Sequence, residues 1–194
     1  MRIVGGTLKG RRLASPESAD IRPTPDRVRE ALFNMLAHGA GVGFSLRGAR
    51  VLDLFAGTGA MGFEALSRGA ASCLFVENAP AAVRLIKQNR DDLDLSACTR
   101  VRREDATALK PRTTAKDAAF TLAFADPPYG QGLGAQALAS VLAGNWLAKG
   151  ALVVLEEAAD ADAHLPAGYE ELDRRRYGKT QVLIGQASPI SDSV

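Results

Sequence analysis

Short apolar segments and amphipathic helical segments alternate along the chain from Arg50 onward, and few folds accommodate such a pattern. Strands are predicted at 51–55, 72–77, 100–103, 120–125 and 151–155, and helices at 59–68, 79–93 and 133–142. Repeated strand and helix units form a parallel sheet with helices on both faces, joined by right-handed crossovers. Two final strands, at 169–177 and 180–185, follow each other without a helix and predict an antiparallel hairpin. The sequence therefore predicts an α/β fold with a mostly parallel seven-stranded sheet and an antiparallel C-terminal edge.

The first part of the chain lies outside this pattern. Residues 1–13 predict a short β-hairpin around a glycine-rich turn, and residues 14–23, rich in Ser, Pro and Asp, predict an extended connector. A helix is predicted to begin with Thr24 as its N-cap, because Pro25 suits the first helical position. We therefore expect three parts: a basic N-terminal arm over 1–24, a main domain over 25–186 and a flexible tail over 187–194.

The composition is that of an ordinary globular domain. Hydrophobic residues make up 46% of the 194 positions, which is enough for a core and too many for a disordered chain. No apolar run approaches the roughly 18 to 20 residues of a membrane-spanning helix, and the N-terminus lacks the apolar segment of a secretory signal. Two widely spaced cysteines and two histidines give no metal-ligand spacing. We therefore expect a cytoplasmic protein with no membrane contact and no metal site.

The charge is unevenly distributed along the chain. Residues 1–29 carry seven basic and three acidic side chains, whereas the rest of the chain carries 17 basic and 19 acidic ones. Because phosphate contacts dominate the affinity of proteins for nucleic acids, a basic arm on a nearly neutral body favours contact with a polyanion. Solvated charge runs also occur on proteins that bind no nucleic acid, so the asymmetry alone leaves both interpretations open.

A glycine-rich turn follows the first strand of the alternating region. Gly57, Gly59 and Gly62 have the spacing of a dinucleotide fingerprint, and Glu77 ends the next strand, where an acid that binds ribose belongs. Glycine lets a ligand approach the backbone closely because it has no Cβ. Asp53, expected at the mouth of this loop, would repel a pyrophosphate but would tolerate a cationic sulfonium and an ammonium group. The pattern therefore favours S-adenosylmethionine over a nicotinamide dinucleotide.

The second motif is Asp126, Pro127, Pro128 and Tyr129, directly after the apolar strand at 120–125. The exocyclic amine of a nucleobase is a weak nucleophile because its lone pair is delocalised into the ring. Two acceptors, the Asp126 carboxylate and the Pro127 carbonyl, would hold the N–H groups and free that lone pair, and consecutive prolines would fix these acceptors in advance. Tyr129 would offer a flat face for stacking the base. Because ligands of open α/β sheets bind at the carboxyl ends of strands, we expect both motifs to face one crevice.

The two motifs resemble motifs I and IV of class I S-adenosylmethionine-dependent methyltransferases, which have a Rossmann-like fold. Motif IV of this type acts on planar nitrogens: adenine N6, guanine N2, cytosine N4 and the glutamine side chain. The resemblance implies that Asp126, Pro127, Pro128 and Tyr129 are the catalytic residues. It implies a cofactor site in the glycine loop and at the ends of the next two strands: Asp53, Phe55, Ala56, Gly57, Thr58, Gly59, Glu77, Asn78, Asp105 and Ala106. There Glu77 would bind the ribose hydroxyls and Asp105 the adenine amino group.

The basic arm carries the most specific part of a further resemblance. The segments RIVGG at 2–6, KGRRL at 9–13, RPT at 22–24 and RVREALFN at 27–34 resemble the N-terminal signature of the RsmD family, and YGKT at 177–180 resembles its closing segment. This family methylates guanine N2 in 16S rRNA of the small ribosomal subunit, at guanine 966 by the family's naming. The resemblance also implies a monomer that contacts rRNA through polar residues of these segments: Lys9, Arg11, Arg12, Arg22, Thr24, Arg27, Arg29 and Lys179.

Three other functions stay open at this point. The same tetrapeptide permits methylation of adenine N6 in DNA or RNA, although nothing in the sequence resembles a domain that reads duplex sites. A non-catalytic ribosome assembly factor would retain the fold, but the intact Asp126 and Tyr129 argue against it. An NAD-dependent reductase would use the glycine spacing, but Asp53 and the Asp-Pro-Pro-Tyr turn argue against that activity. The connector at 110–116 carries no motif.

Overall fold

The computed structural model describes residues 1–15, 26–38, 44–112 and 118–188. The chain divides into two compact units, Met1–Glu104 and Asp105–Val194. The predicted N-cap Thr24 and the following Pro25 lie outside the described residues. Within the described ranges, no helix is both long enough and apolar enough to cross a membrane.

The first unit is built from parallel strands and the helices that connect them. Its main elements are α1 (Asp26–His38), β1 (Arg50–Leu54), α2 (Ala60–Ser67), β2 (Ser72–Val76), α3 (Pro80–Asp92) and β3 (Thr99–Arg102). β2 pairs in parallel with both β1 and β3. Val51, Leu52 and Leu54 are fully buried, as expected for a parallel strand that is covered on both faces and therefore reads as a continuous apolar run.

The second unit combines parallel and antiparallel pairing. Its main elements are β4 (Phe120–Ala125), α4 (Leu133–Ala143), β5 (Leu147–Ala158), β6 (Tyr169–Tyr177) and β7 (Thr180–Ala187). β4 and β5 are parallel, whereas β7 pairs antiparallel with both β5 and β6. Gly178, with a φ of 62°, provides the left-handed conformation for the tight turn between β6 and β7.

All seven strands belong to one mixed sheet, with the order β3-β2-β1 in the first unit and β4-β5-β7-β6 in the second. The predicted α/β fold, with a mostly parallel sheet and an antiparallel C-terminal hairpin, is confirmed.

Several strand ends differ from the prediction, and in three strands the structure shows the reason. β1 ends at Leu54 because Phe55 has a φ of 56° and leaves the extended conformation. β5 is much longer than the predicted 151–155, because Gly150 and the charged pair at 156–157 interrupt the apolar pattern without interrupting the strand. β7 reaches Ala187, a buried residue that the prediction assigned to the tail.

The predicted N-terminal hairpin is reduced to a single antiparallel bridge between Arg2 and Arg12. The Ile3 N–H donates to the Arg11 carbonyl at 3.0 Å, and the Leu13 N–H donates to the Met1 carbonyl at 3.1 Å. Ile3 and Leu13 are 1% and 5% exposed, so these two side chains anchor the arm in the core of the first unit.

Candidate active site

The glycine loop connects the end of β1 to the start of α2. Phe55, Gly57 and Gly59 have positive φ angles of 56°, 56° and 80°. The chain reverses tightly here, since the Gly59 N–H donates to the Ala56 carbonyl at 2.7 Å. A left-handed conformation is uncommon for a bulky residue such as Phe55, and such outliers cluster at ligand sites. The predicted sequence of strand, glycine turn and helix is therefore present, with backbone strain at its first residue.

Asp53 lies beneath this loop and not at its mouth, where the sequence analysis placed it. Its side chain is 3% exposed, and one carboxylate oxygen accepts a hydrogen bond from the Gly62 N–H at 2.9 Å. Burial raises the pKa of Asp53 to about 8, the Gly62 hydrogen bond opposes the shift, and Glu77 adds to it. The electrostatic argument against a pyrophosphate therefore does not hold as the sequence analysis made it, because this carboxyl group lies buried beneath the loop and its pKa is raised. Asp53 instead fixes the first turn of α2.

Close packing accounts for two of the three glycines. A Cβ on Gly62 would overlap the Phe75 ring and lie 2.6 Å from the Cys73 sulfur, and a Cβ on Gly59 would lie 2.6 Å from the Phe63 ring. Gly62 therefore lets α2 pack against β2, and Gly59 makes room for Phe63 of α2 itself and for the Phe75 ring, 3.1 Å from such a Cβ. A Cβ on Gly57, by contrast, would meet nothing closer than 3.9 Å outside its chain neighbours, so the space beside it is open.

Glu77 directly follows β2 and holds the loop from the other side. One carboxylate oxygen accepts from the Gly57 N–H at 2.9 Å, and the other accepts from the Ala79 N–H at 2.8 Å. The Glu77 side chain is 9% exposed, and its neighbour Asn78 is exposed. Because each carboxylate oxygen has two lone pairs, Glu77 retains acceptor capacity for hydroxyl groups.

Asp105 and Ala106 open the second unit. The Asp105 carboxylate caps the short 3-10 helix Ala106–Ala108 by accepting from the N–H and the hydroxyl of Thr107, at 2.8 and 2.7 Å. These hydrogen bonds lower the pKa of Asp105. Asp105 is exposed and Ala106 is buried, so an ionised carboxylate is available as an acceptor at this position.

The Asp-Pro-Pro-Tyr turn directly follows β4. Asp126 is partly buried, Pro127 is buried and Pro128 is exposed. α4 packs closely on Pro127, since a Cβ on Gly134 would come within 3.2 Å of the proline ring. The turn is therefore fixed at Pro127 and accessible at its tip.

Tyr129 is a large apolar side chain that remains 39% exposed. Its hydroxyl donates to a Glu156 carboxylate oxygen at 2.8 Å and lies 3.2 Å from the Thr180 hydroxyl. Burial raises the pKa of Tyr129, the Thr180 hydrogen bond opposes the shift, and the negative charges of Glu156 and Asp126 add to it. The phenol therefore stays protonated and holds the ring by its tip, while part of the ring stays accessible for stacking.

The sequence prediction omitted two carboxylates that support this turn, Glu156 and Glu157. They are 4% and 5% exposed, and a Glu157 carboxylate oxygen accepts from the Gly130 N–H at 2.9 Å. Burying a carboxylate is costly unless hydrogen bonds compensate it, so two acids at the end of an apolar strand are unusual. The run LVVLEE at 152–157 was the signal that would have identified them.

The residues predicted to contact RNA fall into three groups. Five of them are exposed: Lys9, Arg11, Arg12, Arg27 and Lys179. Arg22 and Thr24 lie outside the described residues. Arg29 forms the third group.

The prediction that Arg29 contacts rRNA is wrong, because its side chain is only 1% exposed. Its guanidinium donates to the Asp26 carboxylate at 2.9 Å and to the Arg2 carbonyl, and it lies 3.8 Å from a carboxylate oxygen of Glu64. Glu64 is itself fully buried on α2 and also accepts from Arg68 at 2.6 Å. Arg29 therefore compensates a buried acid inside the first unit, where a phosphate cannot reach it.

The glycine loop and the Asp-Pro-Pro-Tyr turn each follow the carboxyl end of a parallel strand, β1 and β4. The expectation that they face one crevice stays a prediction. Among the described residues, no group of three or more His, Cys, Asp or Glu side chains is arranged to hold a metal ion.

The mixed seven-stranded sheet and the loops at its strand ends define the class, a Rossmann-like class I methyltransferase fold. One solved structure with this fold is that of yhhF from Escherichia coli, described as a candidate methyltransferase. It matches with a TM-score of 0.81 and 32% identity, covering 97% of this chain and 98% of that one.

The family model for conserved hypothetical protein 95 matches residues 1–186. YlbH of Bacillus subtilis, a candidate rRNA methyltransferase, is 35% identical over 187 residues, which cover 95% of this chain and 97% of YlbH. Ribosomal RNA small subunit methyltransferase D of Escherichia coli K12 is 36% identical over 156 residues, which cover 80% of this chain and 74% of that protein. The chain therefore belongs to this family, the RsmD family of rRNA methyltransferases, as its N-terminal signature predicted.

Proposed function

We propose that the protein transfers the methyl group of S-adenosylmethionine to the exocyclic N2 amine of one guanine in 16S rRNA of the small ribosomal subunit, the guanine numbered 966 in the family's naming. The Asp-Pro-Pro-Tyr turn carries this proposal, because it presents a carboxylate, a proline carbonyl and a partly exposed ring after β4. The name of the Escherichia coli relative, which specifies small-subunit rRNA, supports the substrate class.

The glycine loop fits S-adenosylmethionine by its chemistry. The space beside Gly57 admits close approach to the backbone, and Glu77 keeps lone pairs for the two ribose hydroxyls. Asp105, ionised and exposed, would accept from the adenine amino group. The remaining cofactor contacts would come from Phe55, Ala56, Thr58, Gly59, Asn78 and Ala106, with Asp53 supporting the loop from below. When bound, the cofactor supplies an electrophilic methyl group on a sulfonium.

Asp126 and Pro127 would orient the guanine amine. Guanine carries an N1–H beside its N2 amine, so the two oxygens of one carboxylate suit it, whereas adenine presents an acceptor at N1. The Pro127 carbonyl would accept the second amine hydrogen, and proline adds no N–H that competes for the acceptors. With both hydrogens held, the nitrogen lone pair turns out of conjugation. Positioning of the amine would supply most of the catalysis. The Asp126 carboxylate is also a base able to take the proton that the methylated amine releases.

Tyr129 and Pro128 form the accessible part of the turn. The Tyr129 ring would stack on the extruded base, an interaction that contributes about 1 to 3 kcal/mol per base in comparable sites. Its hydroxyl is already bound to Glu156, so the ring would be in place before the base arrives.

The exposed basic residues of the arm would bind rRNA phosphates, which give affinity and orientation without reading bases. They are Lys9, Arg11, Arg12 and Arg27, with Lys179 on the β6–β7 turn as a further contact and Arg22 and Thr24 carried over from the family signature. The substrate would be the assembled small subunit in the cytoplasm, and the protein would act as a monomer.

Nucleoside analysis of 16S rRNA from a strain lacking the gene tests the proposal. One N2-methylguanine should be absent, should reappear when the wild-type gene is supplied, and should stay absent with Asp126→Ala. Full N2-methylguanine at every site in the deletion strain would show that the substrate assignment is wrong.

A second assay separates the proposal from its nearest rival, a DNA adenine methyltransferase. Purified protein is incubated with labelled S-adenosylmethionine and either unmethylated small subunits, naked 16S rRNA or genomic DNA. We expect label in the subunits as N2-methylguanine. Label in DNA as N6-methyladenine would favour the rival, and subunit binding without any label would favour an assembly factor.

A further inference from the structure

Asn89 on α3 joins two segments to which the proposed function gives separate roles. Its side chain is 1% exposed, and its Nδ2 donates to the Thr58 carbonyl in the glycine loop at 3.0 Å. The same Nδ2 donates to the Ala14 carbonyl at 3.2 Å, and the Asn89 Oδ1 accepts from the Ala14 N–H at 2.6 Å. One buried amide therefore binds the backbone of the cofactor loop and the backbone of the basic arm at the same time.

Side chains on α2 fasten the same arm by its backbone. A Glu64 carboxylate oxygen accepts from the Val4 N–H at 2.8 Å. The Ser67 hydroxyl accepts from the Leu8 N–H at 2.9 Å and donates to the Gly5 carbonyl. Because α2 begins at the glycine loop, the helix that carries the cofactor turn also carries the arm. Asn89 closes this connection at Ala14, further along the arm.

We infer that Asn89 is a positioning residue that couples the binding of S-adenosylmethionine to the binding of rRNA. The inference rests on the proposed function, which places the cofactor on the loop and rRNA on the arm. A ligand that restrains the Thr58 carbonyl restrains Ala14 through the shared amide, and phosphates bound to Lys9, Arg11 and Arg12 restrain the arm from outside. Binding of the first ligand then orders the loop and the arm, so the second ligand binds with a smaller loss of conformational entropy. By thermodynamic linkage, each ligand raises the affinity for the other by the same factor.

Two substitutions at this position separate coupling from simple support. Asn89→Ala removes all three hydrogen bonds. Asn89→Asp keeps an acceptor for the Ala14 N–H but loses the donor to the Thr58 and Ala14 carbonyls, so it breaks the connection to the loop with little change of volume. If Asn89 only stabilised the fold, its substitution would lower stability and leave the coupling between cofactor affinity and rRNA affinity at its wild-type value.

Amide hydrogen exchange of the wild-type protein, with and without S-adenosylmethionine, gives a test that needs no substitution. The Ile3, Val4, Leu13 and Ala14 N–H groups are all hydrogen-bonded in the arm. We expect the cofactor to slow exchange at Leu13 and Ala14 about fivefold or more, which is the lower end of typical coupling between sites. Exchange that is unchanged at both positions while the cofactor is bound would overturn the inference.

A binding cycle gives the second test. The dissociation constant of unmethylated small subunits is measured with and without S-adenosylhomocysteine, which occupies the cofactor site without transferring a methyl group. We expect about tenfold tighter subunit binding in its presence for the wild type and no change for Asn89→Ala and Asn89→Asp. Retained coupling in both variants would overturn the inference.

The matched control is Gln181→Ala. Gln181 is also a buried amide, on β7, and its Nε2 donates to the Ala158 and Ala161 carbonyls, both at 2.8 Å. Its loss should destabilise the protein to a similar extent while leaving the tenfold effect in place. A wild type that binds neither ligand would contradict the proposed function itself, whereas one that binds both ligands independently would contradict only the coupling.

Discussion

The glycine loop and the Asp-Pro-Pro-Tyr turn both follow parallel strands, yet buried carboxylates hold them in different ways. In the loop, Asp53 and Glu77 accept from backbone N–H groups, so the path of the chain itself is fixed. In the turn, Glu157 also accepts from a backbone N–H, that of Gly130, but Glu156 accepts from the hydroxyl of Tyr129, so a side chain is held by its far end as well. Both sites therefore have a fixed backbone, and only the turn adds a tethered ring.

The difference suits the ligands that we propose. A cofactor is identical in every turnover, and a fixed backbone binds it without reorganisation. A base that has to leave its stack needs an exposed ring to receive it, and a ring left untethered would lose side-chain entropy on binding. The two sites therefore illustrate two uses of buried carboxylates, to fix the main chain and to aim a side chain.

Removing the carboxylate of the turn should have the largest effect. Asp126→Ala is expected to lower kcat about 10²- to 10³-fold, the range seen when a preorganised group that faces the reacting atoms is lost. S-adenosylhomocysteine affinity, measured by calorimetry, should stay at the wild-type value because the glycine loop is untouched. Asp160→Ala, at an exposed carboxylate of the same unit, is the control and should leave both quantities unchanged. A kcat for Asp126→Ala within tenfold of wild type would contradict this role.

Two substitutions of Tyr129 separate its ring from its tether. Tyr129→Ala should lower kcat/KM about 10- to 100-fold, because stacking on a base contributes about 1 to 3 kcal/mol. Tyr129→Phe keeps the ring, loses the bonds to Glu156 and Thr180, and should cost only about threefold to tenfold. Steady-state assays on small subunits measure both variants. Equal losses in the two variants would mean that the hydroxyl, and not the ring, is the essential part.

Crowding the contact between α2 and β2 should lower stability. Gly62→Ala places a Cβ against Phe75 and Cys73 and should reduce the free energy of unfolding by about 1 to 3 kcal/mol, the usual cost of overpacking a core. Gly178→Ala, where space is free and only a positive φ is at stake, should cost about 1 kcal/mol. Chemical denaturation compares the two. A smaller loss at Gly62 than at Gly178 would show that α2 shifts to make room.

The last prediction concerns the pH dependence of stability. The folded pKa of Asp53, about 8, lies above its usual 3.8, so the folded protein binds more protons than the unfolded chain between these values. The stability that this group contributes is fully present below about pH 4 and falls as the pH rises towards 8. Asp53→Asn, whose amide oxygen still accepts the Gly62 N–H, should remove a slope of at most about 1.4 kcal/mol per pH unit. Urea denaturation at several pH values measures this, and equal slopes in the two proteins would show that Asp53 is ionised in the fold.

Strands and helices were predictable because periodic burial leaves a record in the sequence. β4 lies where its apolar run predicts, and both motifs follow the strands that were expected to precede them. The environment of charged side chains was not predictable in the same way. Asp53 is buried with the Gly62 N–H as its partner, and Arg29 is buried beside Glu64 as well as Asp26. The contacts with Gly62 and Glu64 are not evident from sequence spacing. The roles of Glu156 and Glu157 depend likewise on contacts with a distant turn.

The start of the chain has a practical consequence. The Met1 carbonyl accepts from the Leu13 N–H, and the Met1 sulfur lies 3.6 Å from the Thr58 hydroxyl of the glycine loop. Preparations that differ in the oxidation state of the Met1 thioether would therefore differ at a contact of the glycine loop itself.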